Sequence, residues 1–232
     1  LLHGKLANPG PPFRILAPQL ERAGILVGTP KMPWSRQRAF DRDYAQAMTE
    51  IDATVARLRA RGATRIVIGG HSLGTAAALI YCAQRPADGL LLLALGHSPQ
   101  SSTLQERFAA SVARARQPVA DGKGEEADTF DDFDSSKTPP ACTIRTTTRI
   151  YLSYFDPKGG ANTLDAIRRL PAALPLLWIT GSRENAGLKS YGERLYAAVA
   201  TPHKRYAEVE AGHVDVPGVA GSLILEWLAT LP

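Results

Sequence analysis

The stretch "IVIGGHSLGTAAAL", Ile66 to Leu79, places one serine at the joint between an apolar run and an alanine-rich one, with glycine two residues away on either side. Arg65 to Gly69 reads as a strand, and Ser72 to Gln84 reads as a helix that packs on one face, with Ala76, Ala77 and Ala78 allowing it close to the sheet. Gly70-His71-Ser72-Leu73-Gly74 fits G-x-S-x-G, in which a serine sits on a strained strand-to-helix turn and its neighbours at two residues' distance must be minimal. Such a turn delivers a hydroxyl to a helix N-terminus, where free N–H groups and the helix dipole favour negative charge. The N–H of Leu73 is then a candidate oxyanion donor. Taken alone, the five residues fit a glycine-rich turn with a capping serine equally well.

Outward from this joint, short apolar runs bounded by Gly or Pro alternate with segments of helical period. The expected strands are Leu1-Leu2, Ile25 to Gly28, Arg65 to Gly69, Gly89 to Leu95, Leu174 to Thr180 and Arg205 to Glu210. The expected helices are Phe13 to Ala23, Asp43 to Ala60, Ser72 to Gln84, Leu188 to Ala200 and Val219 to Leu231. This alternation predicts an α/β fold, a mostly parallel sheet with helices on both faces. From His97 to Pro171 no strand is evident, and the acidic segment Glu125 to Asp134 reads as exposed turns or short helices. Residues 1–96 and 172–232 are expected to form the core, with 97–171 inserted between them.

A chain of 232 residues with 44% hydrophobic content has enough apolar surface for one substantial core. The net charge of +5 comes from Lys and Arg scattered along helix-like segments, such as Arg57, Arg59, Arg61 and Arg65, without a dense basic run, so no nucleic-acid partner is expected. The longest apolar run, Leu90 to Leu95, is far too short to span a bilayer. Cys82 and Cys142 lie in no metal-ligand spacing, and the acidic segment lacks the ordered ligands of a calcium loop, so neither metal nor cofactor is expected. Two cysteines do not settle a compartment. The start at Leu1-Leu2-His3-Gly4 lacks the features of a signal peptide and reads as the end of a strand already under way. The cytoplasm is slightly favoured, with a signal peptide upstream of Leu1 left open.

A serine hydroxyl needs a base to take its proton and a third group to orient that base. His213, in "VEAGHVDVPG" just after the last strand, is the candidate base. His3 belongs to the first strand's end, His71 is expected to point away from the serine, and His203 lies in a polar loop. His97 opens the insertion. For the acid, "LPLLWITGSREN" puts Glu184 in the loop after the preceding strand, and Asp215 is its rival. The order Ser72, Glu184, His213 differs from both serine-protease orders.

Together, "LLHGK", "GGHSLG", "WITGSREN" and "AGHVDVP" resemble the α/β-hydrolase family over nearly the whole chain. The resemblance implies that His3-Gly4 is the oxyanion loop, with the N–H of Lys5, or of Leu6, as the second oxyanion donor, and that 97–171 is a cap over the site. Two departures accompany it: the acid is Glu where Asp is usual, and the first two strands expected before "LLHG" are absent. Serine at position 72 implies acyl transfer to water through an acyl-serine, with a small-molecule ester or thioester as substrate. Met32, Pro33 and Trp34 in "TPKMPWS", together with His97, Tyr151, Tyr154 and Phe155, are candidate pocket residues. A non-catalytic member of the fold that binds a ligand or partner is the alternative. The oligomeric state is not legible.

Overall fold

The computed structural model describes residues 1–8, 10–133 and 141–232. Its chain runs through α1 (Gly10–Phe13), α2 (Leu16–Arg22), α3 (Tyr44–Ala60), β1 (Val67–Ser72), α4 (Leu73–Gln84) and β2 (Gly89–Leu95). It continues through α5 (Ser102–Ala120), β3 (Ala127–Phe133), β4 (Ala141–Thr147), α6 (Thr148–Phe155) and α7 (Thr163–Arg169). The last elements are β5 (Leu176–Gly181), α8 (Ala186–Ala198), β6 (Lys204–Val209), α9 (Val216–Val219) and α10 (Gly221–Ala229). The main sheet is parallel, in the order β1-β2-β5-β6.

The sheet is a two-sided core because its middle strands, β2 and β5, are buried at every position. In β2, Leu90, Leu92 and Leu95 join the cluster that contains α3 and α4 residues, whereas Leu91 and Leu93 join Leu16, Leu20 and Ile224 on the other face. Successive side chains of a strand point to opposite faces, so an unbroken leucine run supplies both layers at once. Each leucine buried in this way contributes roughly 2 kcal/mol. Helix α3 starts cleanly because the Asp43 carboxylate accepts from the Gln46 N–H while the Gln46 side chain accepts from the Asp43 N–H.

Two expected strands are reduced. Leu2 makes an isolated parallel bridge to Gly70, with Leu2 N–H donating to the Gly69 carbonyl at 2.8 Å and His71 N–H to the Leu2 carbonyl at 2.9 Å. Ile25 to Gly28 joins no ladder among the described residues; the terminal amine of Leu1 donates to the Gly28 carbonyl at 2.7 Å. An apolar run becomes a strand only where a partner takes its N–H and C=O groups. The expected helix Phe13 to Ala23 is split into α1 and α2.

The excursion between β2 and β5 also differs from expectation. Its acidic segment, read as turns or short helices, is strand β3, paired antiparallel with β4 from Ala127↔Thr147 to Phe133↔Ala141. Charge hid a two-residue period: Phe130 and Asp132 are buried while Thr129 and Asp131 are exposed, and Asp128 and Asp131 reach α5 through Arg114 and Ser111. The part of the acidic segment at Asp134 lies outside the described residues. Cys82 is buried in α4 and Cys142 lies on β4, with its Sγ 3.8 Å from Asp132 Oδ2. Among the described residues, no helix is long and apolar enough to cross a membrane, and no group of three or more His, Cys, Asp or Glu is placed to hold a metal ion.

Candidate active site

Ser72 closes β1 and caps α4 with φ 55° and ψ −122°, a conformation that L-residues rarely adopt. Its glycine neighbours permit the turn. A Cβ on Gly70 would lie 1.9 Å from the Gly74 carbonyl oxygen, and one on Gly74 would lie 2.1 Å from the Leu2 carbonyl oxygen. Beside the turn the β1–β2 ladder slips, since His71 pairs with Leu93 but Ser72 pairs with Leu95. The chain of β2 then passes Ser72 at Gly96, where a Cβ would meet Ser72 Oγ at 2.6 Å. Gly96 is therefore a space-making residue that the G-x-S-x-G pattern does not reveal.

Two loops at the ends of β5 and β6 bring Glu184 and His213 together. Ser182 N–H donates to the Val209 carbonyl at 2.8 Å and Arg183 N–H to the Ala211 carbonyl at 3.0 Å, which zips the loops side by side. His213 Nδ1 and Glu184 Oε2 are then 2.6 Å apart, with the acid's side chain 3% exposed and the imidazole 20%. The other Glu184 oxygen accepts from the Asn185 N–H at 2.8 Å. With Nδ1–H donated to the carboxylate, Nε2 is left with a lone pair, as a general base requires. Asp215 is exposed and starts α9, its carbonyl accepting from Gly218 N–H. The geometry thus joins Glu184, and not Asp215, to His213.

His71, expected to point away from the serine, is tied to the backbone of the candidate base. It is 5% exposed, and its Nε2–H donates to the His213 carbonyl at 2.9 Å, with the two rings 5.3 Å apart. Burial, and then the neighbouring His213, lower its pKa to about 4, so it stays neutral. Its Nδ1 has no hydrogen-bond partner among the described residues and faces Gly4, where a Cβ would lie 3.4 Å away. The signal was present in the motif, but nothing local announces a bond that spans 142 residues.

The His3-Gly4-Lys5 loop lies beside Ser72, since a Cβ on Gly4 would meet Ser72 Cβ at 3.1 Å. His3 is fully buried. Its Nε2 accepts from Met32 N–H at 3.1 Å and its Nδ1–H donates to the Gly4 carbonyl at 2.8 Å; burial lowers its pKa. Trp34 holds the same loop from the other side, because its indole N–H donates to the His3 carbonyl and its own carbonyl accepts from Leu6 N–H, both at 2.8 Å. The Leu6 N–H is thereby occupied. The Lys5 N–H meets no backbone carbonyl among the described residues, and Leu73, first in α4, has no helical acceptor for its N–H.

The candidate pocket residues are all interior. Met32, Trp34 and Tyr154 are fully buried, Phe155 nearly so, and His97 is 8% exposed. Tyr154 meets Trp34, Phe40 and Tyr44 edge-on, with ring centres 6.3, 4.9 and 5.0 Å apart. Phe155 stacks on Tyr151 and meets His97 edge-on at 4.8 Å. His97 donates to the Tyr154 carbonyl at 2.9 Å, and burial lowers its pKa to about 4. A surface groove of about 700 Å³ opens elsewhere, between α2, α3 and α10, and includes none of these residues.

A model of the alpha/beta hydrolase family matches residues 1–220. The chain belongs to the alpha/beta hydrolase family. Among solved structures, this hydrolase is similar to one from a report on LipS and LipT, two metagenome-derived lipolytic enzymes. That match has a TM-score of 0.68 and 19% identity, and covers 98% of this chain and 89% of the other. Similar figures hold for a monoacylglycerol lipase of Paleococcus ferrophilus, with a TM-score of 0.68, 19% identity, and 99% and 93% of the two chains covered. A thioesterase domain from the curacin biosynthetic pathway matches with a TM-score of 0.59 and 14% identity, over 98% and 89% of the two chains. At these identities the likeness describes the fold. No curated protein matches the hydrolase in sequence.

Proposed function

We propose that this hydrolase cleaves small carboxylic esters through an acyl-serine intermediate, with Ser72 as nucleophile, His213 as base and Glu184 as the orienting acid. The observation that carries this reading is the 2.6 Å bond between His213 Nδ1 and Glu184 Oε2, made at the end of the sheet where Ser72 sits in its strained turn. His213 Nε2 takes the proton as Ser72 Oγ bonds to the ester carbonyl carbon, and the carbonyl electrons move onto oxygen. The N–H groups of Leu73 and Lys5 hold that oxyanion. On collapse the C–O bond to the alcohol breaks and His213 gives its proton to the leaving oxygen. Water then repeats the sequence on the acyl-serine, releasing the acid and restoring Ser72.

In this reading residues 97–171 cap the site, and Trp34, Met32, His97, Tyr154 and Phe155 form the apolar layer behind the acyl group. A thioester would use the same machinery. Labelling by a fluorophosphonate, set beside p-nitrophenyl esters of increasing chain length, an acyl-CoA and an anilide, tests the reading and separates the substrate classes. Ser72→Ala is expected to abolish labelling and to lower ester turnover by about four to six orders of magnitude. Undiminished labelling of that variant rejects Ser72.

A further inference from the structure

Lys5 offers the candidate oxyanion loop two handles. Its main chain directly follows Gly4, where a Cβ would meet Ser72 Cβ at 3.1 Å, and its side chain leaves the loop altogether. The Nζ reaches strand β3, where it donates to Asp132 Oδ1 and to the Phe133 carbonyl. Both partners are withdrawn from water, with side-chain exposures of 10% for Lys5 and 0% for Asp132. Phe155, at the end of α6, lies under the same ammonium at 5.9 Å. One lysine thus ties the loop to two elements of the excursion.

Asp132 occupies a core-facing position of β3, two residues from the fully buried Phe130. A carboxylate there is costly unless paired, and a well-packed apolar residue would serve stability at least as well as the ion pair. The loop it reaches carries strain of its own: Leu6 has φ 52° and follows Lys5 directly. A side chain anchored on a separate element limits how far such a turn can relax. The pair also has a direction, because Lys5 is fixed by two acceptors on one strand.

Resting on the reading of Ser72 as an acyl acceptor, we propose that Lys5 and Asp132 are positioning residues, their buried ion pair fixing the oxyanion loop to the β3–β4 hairpin so that the Lys5 N–H stays aimed at the developing oxyanion. The excursion then acts on the chemistry itself as well as on substrate choice. A loop held this way affects the transition state more than the ground state, and its loss falls on kcat.

The test is a double-mutant cycle of Lys5→Met and Asp132→Asn with p-nitrophenyl acetate, a substrate too small to touch most of the excursion. Each single change is expected to lower kcat by about tenfold to a hundredfold, with KM altered less than about threefold. The double variant, which leaves no unpaired buried charge and so guards against misfolding, is expected to lose no more than the worse single one. Thermal melts run alongside separate lost kcat from lost fold. A folded double variant with kcat within twofold of the wild type overturns the proposal, as do losses that multiply. A wild-type chain that neither labels at Ser72 nor turns over the ester overturns the parent reading, and the latch with it.

Discussion

The imidazole of His71 donates a hydrogen bond to the main-chain carbonyl of His213, 2.9 Å away, so the residue next to the candidate nucleophile holds the backbone of the candidate base. Replacing it with Phe keeps the bulk and removes the donor. His71→Phe is expected to reduce kcat/KM on a simple ester by about tenfold to a hundredfold, because misplacement by a fraction of an ångström is costly in such a site. His71→Gln, which can present an N–H near the position of Nε2, should recover most of that loss. Steady-state kinetics of the two variants at matched thermal stability decide the matter, and equal loss in both would reduce His71 to a packing role.

The candidate acid, Glu184, is tested by changing its charge and then its length. Glu184→Gln keeps the shape but can offer an N–H to the ring, favouring the wrong tautomer, and should cost about three to four orders of magnitude in turnover. Glu184→Asp should restore part of it if the loop zipped by Ser182 and Arg183 can move toward His213. Asp215→Asn is the control and should stay within about tenfold, the equivalent of about 1.4 kcal/mol. Turnover of the three variants at neutral pH ranks the two acids.

Gly96 makes a steric prediction. A methyl there would come within 2.6 Å of Ser72 Oγ and 3.0 Å of its Cα, so the hydroxyl must rotate or the strand must shift. Gly96→Ala should slow fluorophosphonate labelling by about a hundredfold while far-ultraviolet dichroism remains unchanged. Labelling at the wild-type rate would mean that the two strands separate easily at this point.

The pH dependence of stability follows from buried neutral histidines. The pKa of His97 falls from 6.5 to about 4 on folding. Below pH 6.5 the unfolded chain binds a proton that the folded chain refuses, so the stability tied to His97 is fully present above that pH and is lost as pH falls toward 4. The loss is on the order of 3 kcal/mol. His97→Gln, which keeps a donor for the Tyr154 carbonyl, should flatten this part of the curve. Urea unfolding of both proteins at intervals from pH 7.5 to 4 measures it, and parallel curves would remove His97 from the account.

Local chemistry made most of the frame legible. The leucine run of β2 and the glycines around Ser72 carry their meaning in the sequence itself, because strand burial and turn sterics are decided within a few residues. Glu184 and His213 were legible as loop residues after successive strands, positions that a parallel sheet brings to one end. What stayed hidden depended on distant partners. The bond from His71 to His213, the crowding of Ser72 by Gly96 and the pairing of Lys5 with Asp132 each need two segments to be brought together. Strand β3 was hidden for a second reason: aspartates rarely mark strands, and here the inward-facing Asp132 is paired with Lys5 from a distant loop.

Helix α7 gives the excursion a natural seam. It packs on α4 and α8, beside the main sheet, while α5 and α6 pack on each other. Strands β2 and β5 are parallel neighbours, so the chain leaving one must return to the opposite end of the other, and α7 is the last helix before that return. Helix α7 therefore sits among core helices before β5 begins, although it falls within the expected insertion 97–171. Ahead of that seam, length is cheap, since each doubling of a closed loop costs only about 0.6 kcal/mol in entropy. Residues 97–162 can therefore change in length with little entropic cost to the crossover, and so to the sheet's order, provided that the side chains they pack against α3 are kept.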